Sequence, residues 1–426
     1  MDTQVREFLD YLDSAHSVYH AQAGIRKLLD EAGYTFLRES QSWDLQPGGK
    51  YYTQRGGSAV MAFRIPEKLE GGFLMAAAHC DRPSFKVKEN GELTGTYTRL
   101  ATEKYGGMLM APWLDRPLSI AGRVLVETEN GVESRLLDID RYLMLIPNVA
   151  IHMNRKANDG YTYNPTCDTV PLLGSKNAAG KLEKLLEQEA GGKILGHDLY
   201  LYIRQKAAVW GIDEEFISSA ALDDLQCVWC CTQGFLKAQA SGAIPVLCIF
   251  DSEEVGSNST QGAASTLLED TLGRIAEGLH MDLRQMLAKS FMVSADNAHA
   301  VHPNHPEYAD PQNAPVAGSG VVLKFNAAQH YTTDGVSAAI FRSACKKAGV
   351  KVQTFYNRAD LPGGSTLGHI SICHVSVPTA DIGMAQLAMH SCYETAAVQD
   401  VADLCGAMEA YYGLCIQDTE TGYTLG

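Results

Sequence analysis

Carboxylates and imidazoles at the ends of apolar runs are the residues of this chain that could do chemistry. The densest group is Asp251-Ser252-Glu253-Glu254-Val255-Gly256-Ser257, directly after an apolar run from Ala243 to Phe250. Adjacent carboxylates beside a hydrophobic strand are unfavourable unless something positive sits with them. A divalent cation would neutralise them, one glutamate binding it while the other handles the proton of a water. An acidic surface turn would explain the same residues. His79-Cys80-Asp81 follows a second apolar run, Phe73 to Ala78. A carboxylate two positions past a histidine can accept its other ring N–H and fix its tautomer, although a lone histidine is more often structural. Asp296 follows a third run, Phe291 to Ala295. Asp223 and Asp224 open a helix-patterned stretch, where acids also serve as plain caps.

The elements that must position these groups follow from periodicity. Short continuous apolar runs read as strands buried on both faces, and they alternate with helix-patterned stretches. Residues 1 to about 38 read as helix with a stop at Gly33, and Tyr51 to Phe63 as a hairpin around Gly56-Gly57. A helix is expected over Leu272 to Lys289. Val321 to Phe325, Val352 to Tyr356 and Cys373 to Val377 read as strands, the last leading past Asp381 to a helix that carries His390. From about 90 to 215 β-prone pieces dominate, among them Leu118 to Glu127, an Asn130-Gly131 turn and Tyr142 to Ile146.

The expected architecture is α/β: a doubly wound, mainly parallel sheet with an inserted, mostly β second domain. The expected boundaries are 1–90 and 216–426 for the two parts of the catalytic domain and 91–215 for the insertion. Ligands of such sheets bind beyond the carboxyl ends of the strands, where His79, Glu253, Glu254 and Asp296 all fall. With Asp223 and His390 they make two histidines and four carboxylates, a set suited to two zinc-like cations about 3.5–4 Å apart. Magnesium or manganese alone would recruit imidazoles less readily.

The 426 residues carry 35 Lys and Arg against 50 Asp and Glu, a formal charge of −15. That balance argues against nucleic acid or an anionic membrane as partner. No apolar run reaches the length of about 18 residues needed for a membrane span, and the polar start lacks the pattern of a signal peptide. The eleven cysteines lie in apolar contexts rather than a framework and read as reduced thiols of a cytoplasmic protein. Cys227 and Cys230 form a C-x-x-C inside a helix-like run without a second pair, which reads as structural. His299, His302 and His305 sit in a Pro-containing loop and read as solvated or supporting residues.

Together these residues resemble the aspartyl aminopeptidase family, cytosolic di-metal exopeptidases that assemble as dodecamers. The matching stretches are His79-Cys80-Asp81-Arg82-Pro83, Tyr105-Gly106-Gly107, Asp115-Arg116 with Ala121-Gly122-Arg123, Ala150-Ile151-His152, Leu222-Asp223, Asp251 to Ser257, Ser294 to Asn304 and Met389-His390-Ser391. They span nearly the whole chain in the family's order. Cys80, Arg82 and Asp224 depart from the pattern, standing where Thr, Ser and Asn are usual. Arg82, near the metals, would then bear on substrate preference.

The resemblance implies a zinc-peptidase-like fold, with Asp223 bridging two divalent metal ions, zinc before cobalt or manganese. His79 and Asp296 would complete one metal site, Glu254 and His390 the other. Glu253 would be the general base acting on a hydroxide between the metals, and Asp81 would orient His79. The position of His152 implies a reach into a neighbouring subunit's active site; by itself the residue reads equally as structural. Lys324 matches a position that would meet an acidic substrate side chain, with Tyr331 in the same loop region; the plain reading of Lys324 is an exposed strand residue. The expected function is a metal-dependent aminopeptidase that removes the N-terminal residue, Asp or Glu, from peptides with free amino termini. The alternatives are a related di-metal deacylase or amidase, and a self-assembling scaffold with an incidental site.

Overall fold

The computed structural model describes residues 2–239 and 241–426. Its centre is a nine-stranded sheet. One edge is Thr35–Phe36, Lys50–Arg55 and Ala59–Arg64; the middle is Ile244–Phe250, Phe73–His79 and Phe291–Ala295; the other edge is Thr379–Gly383, Val321–Phe325 and Val352–Tyr356. From Ile244–Phe250 through Thr379–Gly383 every neighbouring pair is parallel. Antiparallel pairing is confined to the hairpin edge and to the contact of Val321–Phe325 with Thr379–Gly383.

Alternation along Phe73–His79 explains why both faces are covered. Leu74, Ala76 and Ala78 enter one hydrophobic core, Phe73, Met75 and Ala77 the other. The first core includes residues of helices Thr3–Ser14, Val18–Glu31, Leu222–Lys237, Gly335–Ala348 and Val398–Tyr412; the second includes those of Leu267–Gly278. A strand flanked by two dry cores has no place for a polar side chain along its length. Its first imidazole, His79, therefore stands at its end.

A separate six-stranded sheet occupies residues 84–203, in the order Gly131–Asp138, Leu118–Thr128, Ile194–Ile203, Ser84–Leu93, Tyr97–Tyr105 and Leu172–Ser175. All its pairings are antiparallel, and it packs its own core, including Phe85, Trp113, Ile120 and Leu199. Its first strand leaves the corner His79–Pro83 almost at once, which sets this sheet beside the end of the central strand.

Five expectations about local structure are corrected. Cys373 to Val377 is not a strand: the helix Leu367–Ser371 and a turn precede the strand Thr379–Gly383, so Asp381 lies inside that strand. Val375 and Val377 satisfy their apolar pattern by packing on the second core from this turn. His390 is not on a helix. It sits in a turn with φ +65°, its N–H donating to Glu394 Oε1 at 2.7 Å and its carbonyl accepting from Leu109 at 3.0 Å. Asp223 and Asp224 open the helix Leu222–Lys237 with non-helical backbone and make no capping hydrogen bond. Tyr142 to Ile146 contributes only isolated bridges. The stretch Leu272 to Lys289 is broken into Leu267–Gly278 and Leu283–Leu287, the latter capped by Asp282.

The helix Val398–Tyr412 is pinned to the central strands by Tyr411, whose Oη lies 2.8 Å from the Met75 carbonyl and 2.9 Å from that of Phe291. Removing this buried donor withdraws the one hydrogen bond that the two carbonyls share. Tyr411→Phe is expected to cost about 1–2 kcal/mol, read as a lower urea midpoint. An unchanged midpoint would show that the hydroxyl contributes nothing to stability.

Candidate metal centre

His79, Asp223, Glu253, Asp296, His390, Lys324 and Tyr331 line one cavity of about 170 Å³ at the carboxyl ends of the central strands. Asp223 is its midpoint. One carboxylate oxygen, Oδ1, lies 3.4 Å from His79 Nε2; the other, Oδ2, lies 3.5 Å from His390 Nε2. His390 Nε2 is in turn 3.4 Å from Glu254 Oε2. Thus the two imidazoles approach the two oxygens of a single buried carboxylate.

Two further carboxylates anchor this arrangement through the backbone. Asp81 Oδ1 accepts the N–H of Glu253 at 3.1 Å, and its Oδ2 accepts that of Glu254 at 3.2 Å and the Tyr105 hydroxyl at 2.8 Å. Oδ1 also lies 3.4 Å from His79 Nδ1. The same side chain therefore sits against the imidazole and fixes the turn that carries both glutamates. Glu394 does the equivalent on the other side: Oε2 accepts the N–H of Asp223 at 3.0 Å and Oε1 that of His390. Glu394 escaped the sequence reading because it lies within the strand Glu394–Ala397 rather than past the end of an apolar run.

Asp224 was also passed over as a cap. It is wholly buried, and its Oδ2 accepts the His79 backbone N–H at 3.3 Å. Ligand atoms of Asp223, Asp224 and Asp296 lie within 4.8 Å of one another, and so do those of His79, Asp223 and Glu254. The side-by-side acids after an apolar stretch were the signal that could have flagged Asp224.

The electrostatics ask for positive charge. Burial, reinforced by neighbouring carboxylates, pushes Glu254 and Asp224 well above the usual range. The same causes raise Glu253 to about 8, although His79 pulls it back. Asp296 is raised by burial to about 6, with Lys324 opposing. Burial also acts on Asp223, but there the contacts with His390 and His79 outweigh it and hold the group below its ordinary value. Asp223 Oδ1, Asp224 Oδ1 and Glu254 Oε1 are buried without a hydrogen-bond partner among the described residues. Orphaned carboxylate oxygens beside imidazole nitrogens fit divalent cations of the zinc type. The Glu253 carboxylate makes no hydrogen bond to the described residues and faces the cavity.

Lys324 is buried, not exposed. Its Nζ donates to the Asp296 carbonyl at 2.6 Å, lies 3.8 Å from Asp296 Oδ2 and stands over the Tyr331 ring at 5.2 Å. Gly383 permits the close approach of the neighbouring strand, since a Cβ there would collide with that same carbonyl. Asp381 ties down the Tyr331 loop and the loop before Leu367 by accepting the hydroxyls of Thr332 and Thr366, each at 2.6 Å. His152 is not brought to the cavity; it lies exposed in a turn between Ile151 and Met153.

Comparison with known proteins places the chain among families and folds. Residues 11–412 match the family described as aminopeptidase I zinc metalloprotease (M18). A probable M18 family aminopeptidase 2 of Clostridium novyi is 42% identical over 426 residues, covering 96% of each chain. Its counterpart in Pseudomonas paraeruginosa is 37% identical, covering 95% of this chain and 96% of the relative. Among solved structures, the complex of Ape4 and Nbr1 superposes with a TM-score of 0.93 at 34% identity, covering 96% of this chain and 85% of the other. The S. cerevisiae mApe1 dodecamer gives 0.85 at 26% identity and 96% coverage of each. With that match over nearly its whole length and a carboxylate–imidazole cluster at the strand ends, the chain belongs to the M18 family of zinc metalloproteases, the metallo-aminopeptidases.

Proposed function

We propose that this aminopeptidase removes acidic residues from the free amino termini of peptides, with Asp223 bridging two cations. The observation that carries the reading is the placement of His79 and His390 on opposite oxygens of Asp223. His79 and Asp296 would hold one cation with it, Glu254 and His390 the other. Bound there, zinc ions would lower the pKa of a water and polarise the scissile carbonyl. Glu253, free of hydrogen bonds and raised by burial, takes the proton of the attacking water and returns it to the leaving amine. Asp81 keeps His79 and the glutamate turn in register while this happens.

Acid preference is supported by Lys324, the ammonium group among the residues lining the cavity, with Tyr331 beside it. An adjoining space of about 330 Å³ shares His299, Phe355 and Gly364 with the cavity and gives a peptide room to extend. The separate antiparallel sheet of residues 84–203 is read as an inserted domain that also serves assembly. Val149, Ile151 and Met153 around His152 are exposed, an apolar patch suited to burial against another copy. A homo-oligomer, dodecameric as in the mApe1 structure, would bring His152 to a neighbour's cavity, where it could donate to the oxyanion. The unpaired cysteines favour a cytoplasmic setting, and no helix among the described residues is long and apolar enough to cross a membrane.

Glu253→Gln is expected to retain both cations by elemental analysis and to lose about 10²–10⁴-fold in kcat, the size of a lost proton shuttle. Near-normal turnover would remove Glu253 from that role. Cation binding must expel protons from Glu254 and Asp296, which burial has raised. Zinc affinity should therefore rise with pH, by about tenfold per unit for each proton expelled. A chelator-competition profile that stays flat across the acid range would contradict that ligand set. For specificity, Lys324→Met should depress kcat/KM on N-terminal Asp and Glu reporters far more than on Leu reporters. Equal losses would leave the acid preference without its residue.

A further inference from the structure

A cavity of about 570 Å³ lies between the N-terminal helix and the second sheet, on the far side of Arg82 from the catalytic residues. Arg82, Arg204 and Lys206 bring three cationic side chains to it, with Asp13 and Asp140 as the facing acids. Both acids are already engaged. Asp140 Oδ1 accepts from Arg204 Nε and Nη2 at 2.9 and 2.7 Å, and Asp13 Oδ1 accepts the Ala207 N–H at 2.7 Å. His16, also on the wall, is bonded to Asp138 at 2.7 Å. Arg82 and Lys206 have no ion pair or side-chain hydrogen bond to any described residue. Burial lowers Arg82 to about 10, with Glu394 opposing from a distance, so it remains charged near neutrality.

Arg82 is partly buried and faces an open cleft; a guanidinium so far withdrawn from solvent normally has its own carboxylate. Here it occurs in a chain of net charge −15, where partners are plentiful. The planar fork of Arg82 matches two oxygens of a carboxylate or phosphate, and Lys206 adds a mobile point charge. The space is of the size that small ligands occupy. We propose that Arg82 and Lys206 form a binding site for a small oxyanion, a carboxylate or phosphate compound, distinct from the peptide cavity. Arg82 also lines a narrower space that reaches Asp223 and Glu394, so the site lies directly behind the metal centre.

Calorimetric titration of the metal-loaded protein with inorganic phosphate or succinate, at fixed ionic strength, tests this. Saturable binding of one anion per chain is expected. Lys206→Ala, on the exposed rim, should weaken it about tenfold, as loss of one charge-assisted hydrogen bond would. Arg82→Met should abolish it. Lys193→Ala, at the opposite end of the strand Ile194–Ile203, should leave it unchanged. Tighter binding of phosphate points to a phosphorylated ligand, tighter binding of succinate to a carboxylate one. The proposal is overturned by three results: no saturable binding of either anion, an equal loss in Lys193→Ala, or binding that Lys206→Ala leaves intact, as an anion held on the metals would be. Because Lys206 is exposed, its variant decides the matter even where Arg82→Met does not fold.

Discussion

Burial opposes the charge of Asp223, but the two imidazoles on its oxygens favour it, and the rest of the centre is arranged around that contact. Near it lie Asp224, Glu254, Asp296 and Glu394, all raised by burial, with His390 beside Glu254 and Lys324 beside Asp296 as positive neighbours. Desolvation opposes the charge of each of these carboxylates, although Lys324 offsets part of that at Asp296. Two divalent cations would reverse that balance for several groups at once. The cluster is therefore unfavourable as protein alone and makes sense as the inner lining of a metal centre.

Such a cluster holds together only because its backbone is fixed from outside. Asp81 binds the N–H groups of Glu253 and Glu254, and Glu394 those of Asp223 and His390. Asp81 holds the adjacent N–H groups of a turn 172 positions away, while Glu394 joins the nearby His390 to Asp223, 171 positions away. The parallel sheet supplies the common rim: Phe250 and His79 are register partners, and Asp296 follows the next strand over. Ser84–Leu93 then turns out of the corner at once, and Tyr105 of the second sheet donates to Asp81 behind the site.

What could be read in the sequence is what burial on two faces imposes. Phe73 to Ala78, Ala243 to Phe250 and Phe291 to Ala295 are continuous apolar runs because each strand lies between two cores, and their first polar residues mark the rim. Where a residue's role depends on partners remote in the chain, the pattern is silent. Glu394 looks like any polar strand residue, yet its oxygens reach Asp223 across 171 positions. His390 has a helix-like neighbourhood, but its N–H and carbonyl are claimed by Glu394 and Leu109. Cys373 to Val377 alternates like a strand, although its valines are buried from a turn. Asp224 resembles a cap until the backbone at Asp223 departs from the helix.

In the proposed reading, Lys324 couples the centre to its specificity. Neither solvent exposure nor a free pocket cation describes it: one N–H is spent on the Asp296 carbonyl, and the Asp296 carboxylate lies 3.8 Å away. In a cavity holding no cations, that carboxylate would compensate the ammonium and leave little field for an acidic substrate. In the proposed reading Asp296 is a metal ligand, so its charge is drawn toward the cation and Lys324 is left with positive character facing the cavity. Its remaining N–H groups can then meet a substrate carboxylate, while the bond to the Asp296 carbonyl keeps the ammonium at a set depth. On this account metal loading creates the acid preference as well as the nucleophile, through one aspartate placed between a cation and a lysine.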